Sequence, residues 1–242
     1  MAEQQRFAVF DIDGTLIRWQ LYHAIVDRLA KSGHMSEETY AKVKSARMNW
    51  KQRNGLEAFR AYELELINAY EAMLQTLSVE DFQTAARDAF GEHKDQVYTY
   101  TRGLISNLKS QGYLLFAISA SPSDIVAMVA QYHDFDDYVG TVYEQNEGHF
   151  TGNADVVANK KAAKLDELVT KHRVTFDNSI GVGDSDSDIE MLGKVGRPIA
   201  FNPTQKLFLY APAAGWKIVV ERKNMVYELE PEHDRYVLAL HA

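Results

Sequence analysis

The chain contains no cysteine among its 242 residues. Disulfides and thiolate metal sites are therefore excluded, and the absence fits a reducing compartment. Proline is scarce, with five residues in all, and none falls between positions 16 and 98. No window approaches the ~20 apolar residues that a membrane-spanning helix requires. The start, Met1-Ala2-Glu3-Gln4-Gln5-Arg6, lacks the basic-then-apolar pattern of a secretory signal. Net positive charge is also missing: 26 basic against 34 acidic residues give −8. Such a chain has no surplus of cations with which to neutralise a phosphate backbone. These absences predict a soluble, cytoplasmic protein with neither nucleic acid nor membrane as partner. They say nothing of oligomeric state. A hydrophobic content of 46% is enough to bury a core, as one domain with a large insertion or as two modest ones.

The run Phe7-Ala8-Val9-Phe10 closes on Asp11-Ile12-Asp13-Gly14-Thr15, the pattern of a short buried strand and its exit loop. From about 16 to 98 the apolar residues recur at helical spacing, as in Leu21, Ile25 and Leu29, or Leu56, Phe59, Leu64 and Ile67. Ser36 and Ser78, each followed by acidic residues, read as helix starts. The pattern then alternates. Strands are predicted over 113–118, 179–183, 198–201 and 216–220, with a hairpin around Asn146-Glu147-Gly148. Helices are predicted over 124–132, 160–171 and 188–192. Alternation of this kind predicts an α/β fold with a mostly parallel sheet covered on both faces. The stretch after Glu221 carries no assigned role.

Asp11, Ser119 and Asp184 each stand where an apolar strand run ends. In an open parallel sheet ligands bind outside the carboxyl ends of the strands, so the three can converge on one crevice. Asp11 and Asp13, two residues apart, offer one carboxylate to attack phosphorus and another to move a proton. With Asp184 and Asp188 they repel one another unless a cation sits among them. An oxygen-only donor set suits Mg²⁺. Gly14 permits a tight turn whose N–H groups can hold phosphate oxygens. Ser119 supplies a hydroxyl, and Lys160 or Lys161 a cation to balance the phosphoryl charge. Each feature has a plain structural alternative: a capping serine, solvated lysines, or an acidic or calcium-binding loop over 183–188. That loop lacks the spacing and closing glutamate of an EF-hand. The joint occurrence of these features, in order and each at an element's end, favours chemistry. The basic segment Lys42, Lys44, Arg47, Lys51 and Arg53, with Trp50 among them, reads as a solvated helix face, and Asp134, Asp136 and Asp137 as a surface loop.

The ordered set resembles the four motifs of the haloacid dehalogenase superfamily, over about residues 7–220. Asp11-Ile12-Asp13-Gly14-Thr15 looks like the first motif and Ser119 like the second. Lys161, with Leu165 following, looks like the third, and Gly183-Asp184-Ser185 with Asp188 like the fourth. The resemblance implies a Rossmann-like, doubly wound parallel sheet over 1–16 and 101–242, with a helical cap inserted over 17–100. It implies Asp11 as nucleophile and Asp13 as general acid/base. Mg²⁺ would be held by Asp11, the Asp13 backbone carbonyl and Asp184, with Asp188 in support. Ser119, Ala120 and Lys161 would hold the phosphate of a small phosphomonoester, with Lys160 as the alternative lysine.

Within that superfamily the second aspartate, Asp13, is similar to phosphatases and phosphomutases rather than to dehalogenases or transport ATPases. The cap and Ser119-Ala120-Ser121-Pro122 resemble the phosphoserine phosphatase branch. There is one departure. Where that branch carries a glutamate facing the substrate's amino group, this chain has Gln20. A neutral amide forgoes the charge-assisted bond an ammonium favours. This argues against phosphoserine and leaves histidinol phosphate or phosphorylated amino alcohols open. A phosphomutase or phosphotransferase would use the same intermediate, and a binding module on this fold would lack catalysis altogether.

Overall fold

The computed structural model describes residues 5–55, 57–232 and 235–239; Leu56 and the first four residues of the sequence reading lie outside them. Its contacts divide the chain into two units. One comprises Met1–Gln20, His93–Thr141 and Val156–Ala242, the other Leu21–Glu92 and Val142–Asp155.

The first unit is α/β. β1 (Phe7–Phe10) has all four residues fully buried, as a strand covered on both faces must. Around it run β2 (Leu114–Pro122), the first half of β3 (Asp137–Asn146), β5 (Ile180–Gly183), β6 (Arg197–Phe201) and β7 (Lys217–Arg222). The order is β3-β2-β1-β5-β6-β7, every neighbour parallel. Chain direction across the sheet reverses between β1 and β5, the switch point of a doubly wound fold. The helices of this unit are α5 (Thr99–Ser110), α6 (Ser123–Tyr132), α7 (Lys161–His172), the short α8 (Ile189–Leu192) and α9 (Gln205–Ala213). One core cluster joins Phe7, Val9, Phe116 and Ile118 of the sheet to Leu165, Leu168, Met191 and Leu207 of the helices.

Three expectations change here. Ser119 does not follow β2 but lies inside it, because pairing with β3 slips between Ile118 and Pro122 and resumes at Pro122↔Thr141. Asp136 and Asp137 are not loop ornaments. Asp136 accepts from the Leu115 amide at 2.7 Å, and Asp137 opens β3 while pairing with Lys171 and His172 at 2.7 and 2.6 Å. The stretch after Glu221 extends the sheet as two antiparallel strands, β8 (Met225–Glu232) and β9 (Arg235–Leu238).

The second unit holds α1 (Leu21–Lys31), α2 (Glu37–Lys51), α3 (Ala58–Leu74) and nearly all of α4 (Val79–His93), with the hairpin formed by the second half of β3 and β4 (His149–Asp155). Ser36 caps α2, accepting from the Thr39 amide at 3.1 Å, and Ser78 accepts from the Asp81 amide at 3.1 Å. The unit is narrower than the expected 17–100. Residues 16–18 are tied by backbone bonds to 96–98, and α5 packs on β2, so both ends of that stretch belong with the sheet. It also takes in a hairpin from far along the chain, which helical periodicity in one segment has no means of signalling.

Arg47 and Trp50 depart from the solvated face predicted for α2. Arg47 donates both terminal nitrogens to Asp27, at 2.8 and 2.6 Å, and its Nε to the Tyr62 hydroxyl at 3.0 Å. Trp50 stacks on Tyr62. With Arg47 donating to its oxygen, Tyr62 is left to donate its own proton to Nδ1 of buried His23, 3.1 Å away. That bond needs an unprotonated Nδ1. Burial first, then the charge of Arg47, depress the His23 pKa from 6.5 to about 3, against a smaller opposing pull from Asp27. The unfolded chain takes up this proton below pH 6.5 and the folded chain does not. The stability His23 contributes is therefore full above pH 6.5 and lost progressively between 6.5 and about 3. Thermal melts across that window should fall more steeply for the wild type than for His23→Gln; parallel curves would contradict a neutral, buried His23.

Candidate active site

Asp11 leaves β1 at the switch point, its amide donating to the Val182 carbonyl of β5 at 2.9 Å. The loop behind it is wound tightly. The amides of Thr15, Leu16 and Ile17 all converge on the Ile12 carbonyl, at 3.3, 2.9 and 2.9 Å. Gly14 makes this possible with φ +78°. A Cβ there would also fall 2.3 Å from Asp184 Oδ2, so the position excludes a side chain on two counts. Gly14→Ala should cost about 1–2 kcal/mol in backbone strain and push Asp184 out of place. A melt together with a divalent-cation titration measures both, and an unchanged variant would mean the turn is not constrained.

Asp184 follows β5 and Asp188 closes the next turn. Asp188 is fully buried. Its Oδ2 accepts from the amides of Asp184 and Ser185 at 3.2 and 3.0 Å and from the Ser185 hydroxyl at 3.0 Å. Gly183 leaves room for this, since a Cβ there would sit 2.6 Å from the Asp188 side chain. Lys161, the first residue of α7, lies on the same buried helix face as Leu165 four residues on. Its Nζ reaches Asp11 Oδ1 at 2.8 Å and Asp188 Oδ1 at 2.6 Å. Its neighbour Lys160 is exposed.

One carboxylate oxygen each from Asp11, Asp184 and Asp188 lie within 4.8 Å of one another. Lys161 bonds two of them, Asp11 and Asp188, and one positive charge does not balance three carboxylates. Burial, then the charges of Asp188 and Asp13, raise the Asp11 pKa to about 7, although Lys161 pulls the other way. Burial and the charge of Asp11 likewise hold Asp184 well above the usual carboxylate range. Burial opposes charge on Lys161, yet Asp11 and Asp188 raise its pKa above the ordinary lysine value. An oxygen-only cluster short of positive charge fits a hard divalent cation.

The carboxylate of Asp13 is not in that cluster. It accepts from the Ser119 hydroxyl at 2.6 Å, and Ser119 Oγ in turn accepts from the Ser121 amide at 2.9 Å. Ala120 is exposed on the bulged part of β2, its carbonyl taking the Thr141 hydroxyl at 2.7 Å. Gln20 is half-buried just before α1, and the bonds that build the carboxylate cluster do not involve it. Two residues went unassigned in the sequence. Thr15, fully buried, sets its hydroxyl 3.5 Å from Asp11 Oδ2 and 3.4 Å from Asp184 Oδ1. Its place in the first motif was the available signal. Glu221 accepts from the Thr99 and Tyr100 amides at 3.1 and 2.8 Å, capping α5 across the unit. A cap supplied from so far along the chain leaves no local trace.

Known proteins bear on this geometry. The chain is 25% identical over 220 residues to phosphoserine phosphatase SerB1 of Mycobacterium tuberculosis, covering 87% of this chain and 69% of that protein. It is 24% identical over 226 residues to the histidinol-phosphatase of Neisseria meningitidis serogroup C, covering 89% and 98%. Among solved structures, a Bordetella pertussis protein of unknown function superposes with TM-score 0.70 at 20% identity, covering 89% of this chain and 98% of that one. A phospho-aspartyl intermediate analogue of phosphoserine phosphatase superposes with TM-score 0.62 at 19% identity, covering 91% and 95%. These two likenesses concern the fold. The model of the haloacid dehalogenase-like hydrolases matches residues 8–193, a span that runs from before Asp11 to beyond Asp188, and the chain belongs to that family.

Proposed function

We propose that this hydrolase is a Mg²⁺-dependent phosphatase of a small phosphomonoester, working through an aspartyl-phosphate, an acyl phosphate on Asp11. The observation that carries the reading is the placement of Asp11. It is 3% exposed at the end of β1, held by Lys161 at 2.8 Å, beside a second carboxyl that a different partner, Ser119, holds apart.

An Asp11 oxygen attacks phosphorus, and the bond to the leaving oxygen breaks. Asp13 gives that oxygen its proton, then takes one from the water that cleaves the aspartyl-phosphate. Asp11 is regenerated and inorganic phosphate leaves. Ser119, the Ala120 backbone and Lys161 hold the phosphate oxygens, so Ser119 gives up its bond to Asp13 when substrate arrives. Asp11, Asp184, the backbone carbonyl of Asp13 and, in support, Asp188 hold Mg²⁺. Bound there, the ion offsets the repulsion between these carboxylates and an anionic phosphate. Supporting this assignment are the 4.8 Å cluster and the phosphatases among the relatives.

Phosphate release from a panel with Mg²⁺ and with a chelator tests the reading. The panel includes phosphoserine, histidinol phosphate, phosphocholine, sugar phosphates and nucleotides. Release should depend on the metal, and phosphoserine should not be preferred, because Gln20 cannot pair with its ammonium as a carboxylate would. Metal-independent release would refute the metal role, and strong preference for phosphoserine would refute the Gln20 argument. Because protons compete for Asp11 below about pH 7 and also for Asp184, whose carboxyl is held well above the usual range, Mg²⁺ affinity should weaken at least tenfold per pH unit as the pH falls below 7. A flat profile in calorimetric titrations would contradict a protonated Asp11 in the metal-free protein.

A further inference from the structure

Two parts of the proposed phosphate site are irregular backbone: the slipped stretch of β2 around Ala120 and the turn that leads into Lys161. Thr141 joins them. It stands on β3 opposite Pro122 and is 1% exposed. Its hydroxyl donates to the Ala120 carbonyl at 2.7 Å and accepts from the Val157 amide at 3.3 Å. Gly140 permits this approach. A Cβ there would fall 2.7 Å from Ser123 Cα and 3.0 Å from the Ser121 carbonyl oxygen, so β3 lies directly against the backbone that follows Ala120.

Through these two bonds Thr141 acts on groups it does not touch. The Ala120 carbonyl and the Ser121 N–H belong to one planar peptide unit. Pairing of β2 with β3 is interrupted between Ile118 and Pro122, so the ladder does not hold that unit. Thr141 holds its carbonyl end, and its N–H end donates to Ser119 Oγ at 2.9 Å. That bond occupies a lone pair of Ser119. The hydroxyl proton is left for Asp13, at 2.6 Å, and for a phosphate oxygen when substrate arrives. On the other side, Val157 is fully buried, and its carbonyl accepts from the Lys160 amide at 2.8 Å. That turn delivers Lys161, the first residue of α7, to Asp11. The chain leaves this unit after Thr141 and returns to it at Val156, so the bond from Val157 also ties the two ends of that excursion together.

On the phosphatase reading above, we infer that Thr141 is a positioning residue for the phosphate: one buried hydroxyl fixes the Ser119 hydroxyl and the root of Lys161 against each other. The task needs a small side chain that donates and accepts at once. Serine meets it, and valine, with the outline of threonine, does not.

Steady-state kinetics and calorimetric titration with inorganic phosphate, both with Mg²⁺ present, test the inference on the wild type, Thr141→Val and Thr141→Ser. Thr141→Val should lower kcat/KM about 10–100-fold, the scale on which loss of a supporting bond misplaces a working group. Its phosphate affinity should weaken with it, and Thr141→Ser should recover both. Mg²⁺ alone should bind all three with closely similar affinity, because Thr141 bonds none of the clustered carboxylates. Wild-type phosphate affinity in Thr141→Val overturns the inference, as does a serine variant no better than the valine one. Mg²⁺ affinity that falls in step with phosphate would make Thr141 a support of the fold alone and overturns it too. A wild type that binds phosphate but releases none from any ester would sink the proposed function, and the phosphate titration would still decide the role of Thr141. A wild type that binds no phosphate overturns both.

Discussion

Asp11→Asn is expected to lower turnover on the order of 10⁴-fold or more, the scale seen when a nucleophile is removed from a working group, while the fold persists. The amide has the shape of the carboxylate but no charge with which to attack phosphorus. The fold should persist because Asp11 contributes little net stability to the metal-free protein. Its carboxylate is desolvated and crowded by Asp188 and Asp13, which is why its pKa stands at about 7. Losing that charge relieves repulsion and costs Lys161 one of two partners. A melting temperature close to wild type, with phosphate release at background, is the expected pair of results. Near-normal turnover would remove Asp11 from the role of nucleophile.

Lys161→Met should act on stability as well as on turnover. The side chains of Lys161, Asp11 and Asp188 are 3%, 4% and 0% exposed. Removing one partner of a buried ion pair typically costs about 3–5 kcal/mol, because the opposite charge is left uncompensated. Here Asp188 is left without that cation, while Asp11, whose pKa is already raised to about 7, can take up a proton. Denaturant titration without metal should register that loss, and Mg²⁺ should recover part of it, since a ligand at 100 times its Kd adds about 2.7 kcal/mol. Lys160→Met, at an exposed position, should change stability by no more than about 0.5 kcal/mol. Equal effects from the two lysines would contradict the assignment of Lys161.

The legible part of this protein is the part written in local pattern. Four buried residues before Asp11, a strand before Asp184 and the spacing from Lys161 to Leu165 each leave a short-range signature, and those signatures converge at the switch point of the sheet. What stayed hidden depends on pairing between distant segments. The slip that draws Ser119 into β2 is set by β3. Glu221 caps a helix more than a hundred residues earlier. Arg47 looked solvated because its partners Asp27 and Tyr62 stand on two other helices. The separation of Asp13 from the other carboxylates likewise rests on a hydroxyl beyond the reach of the Asp-x-Asp pattern.

The most direct test of the central claim is to trap the covalent species. The protein would be mixed with Mg²⁺ and its best phosphomonoester, quenched in acid during turnover, and its peptides mapped by mass spectrometry. A phosphoryl group should appear on the peptide carrying Asp11 in the wild type and be lost in Asp11→Asn. Turnover with no phosphoryl group on that peptide, or with one on another residue, would contradict the account.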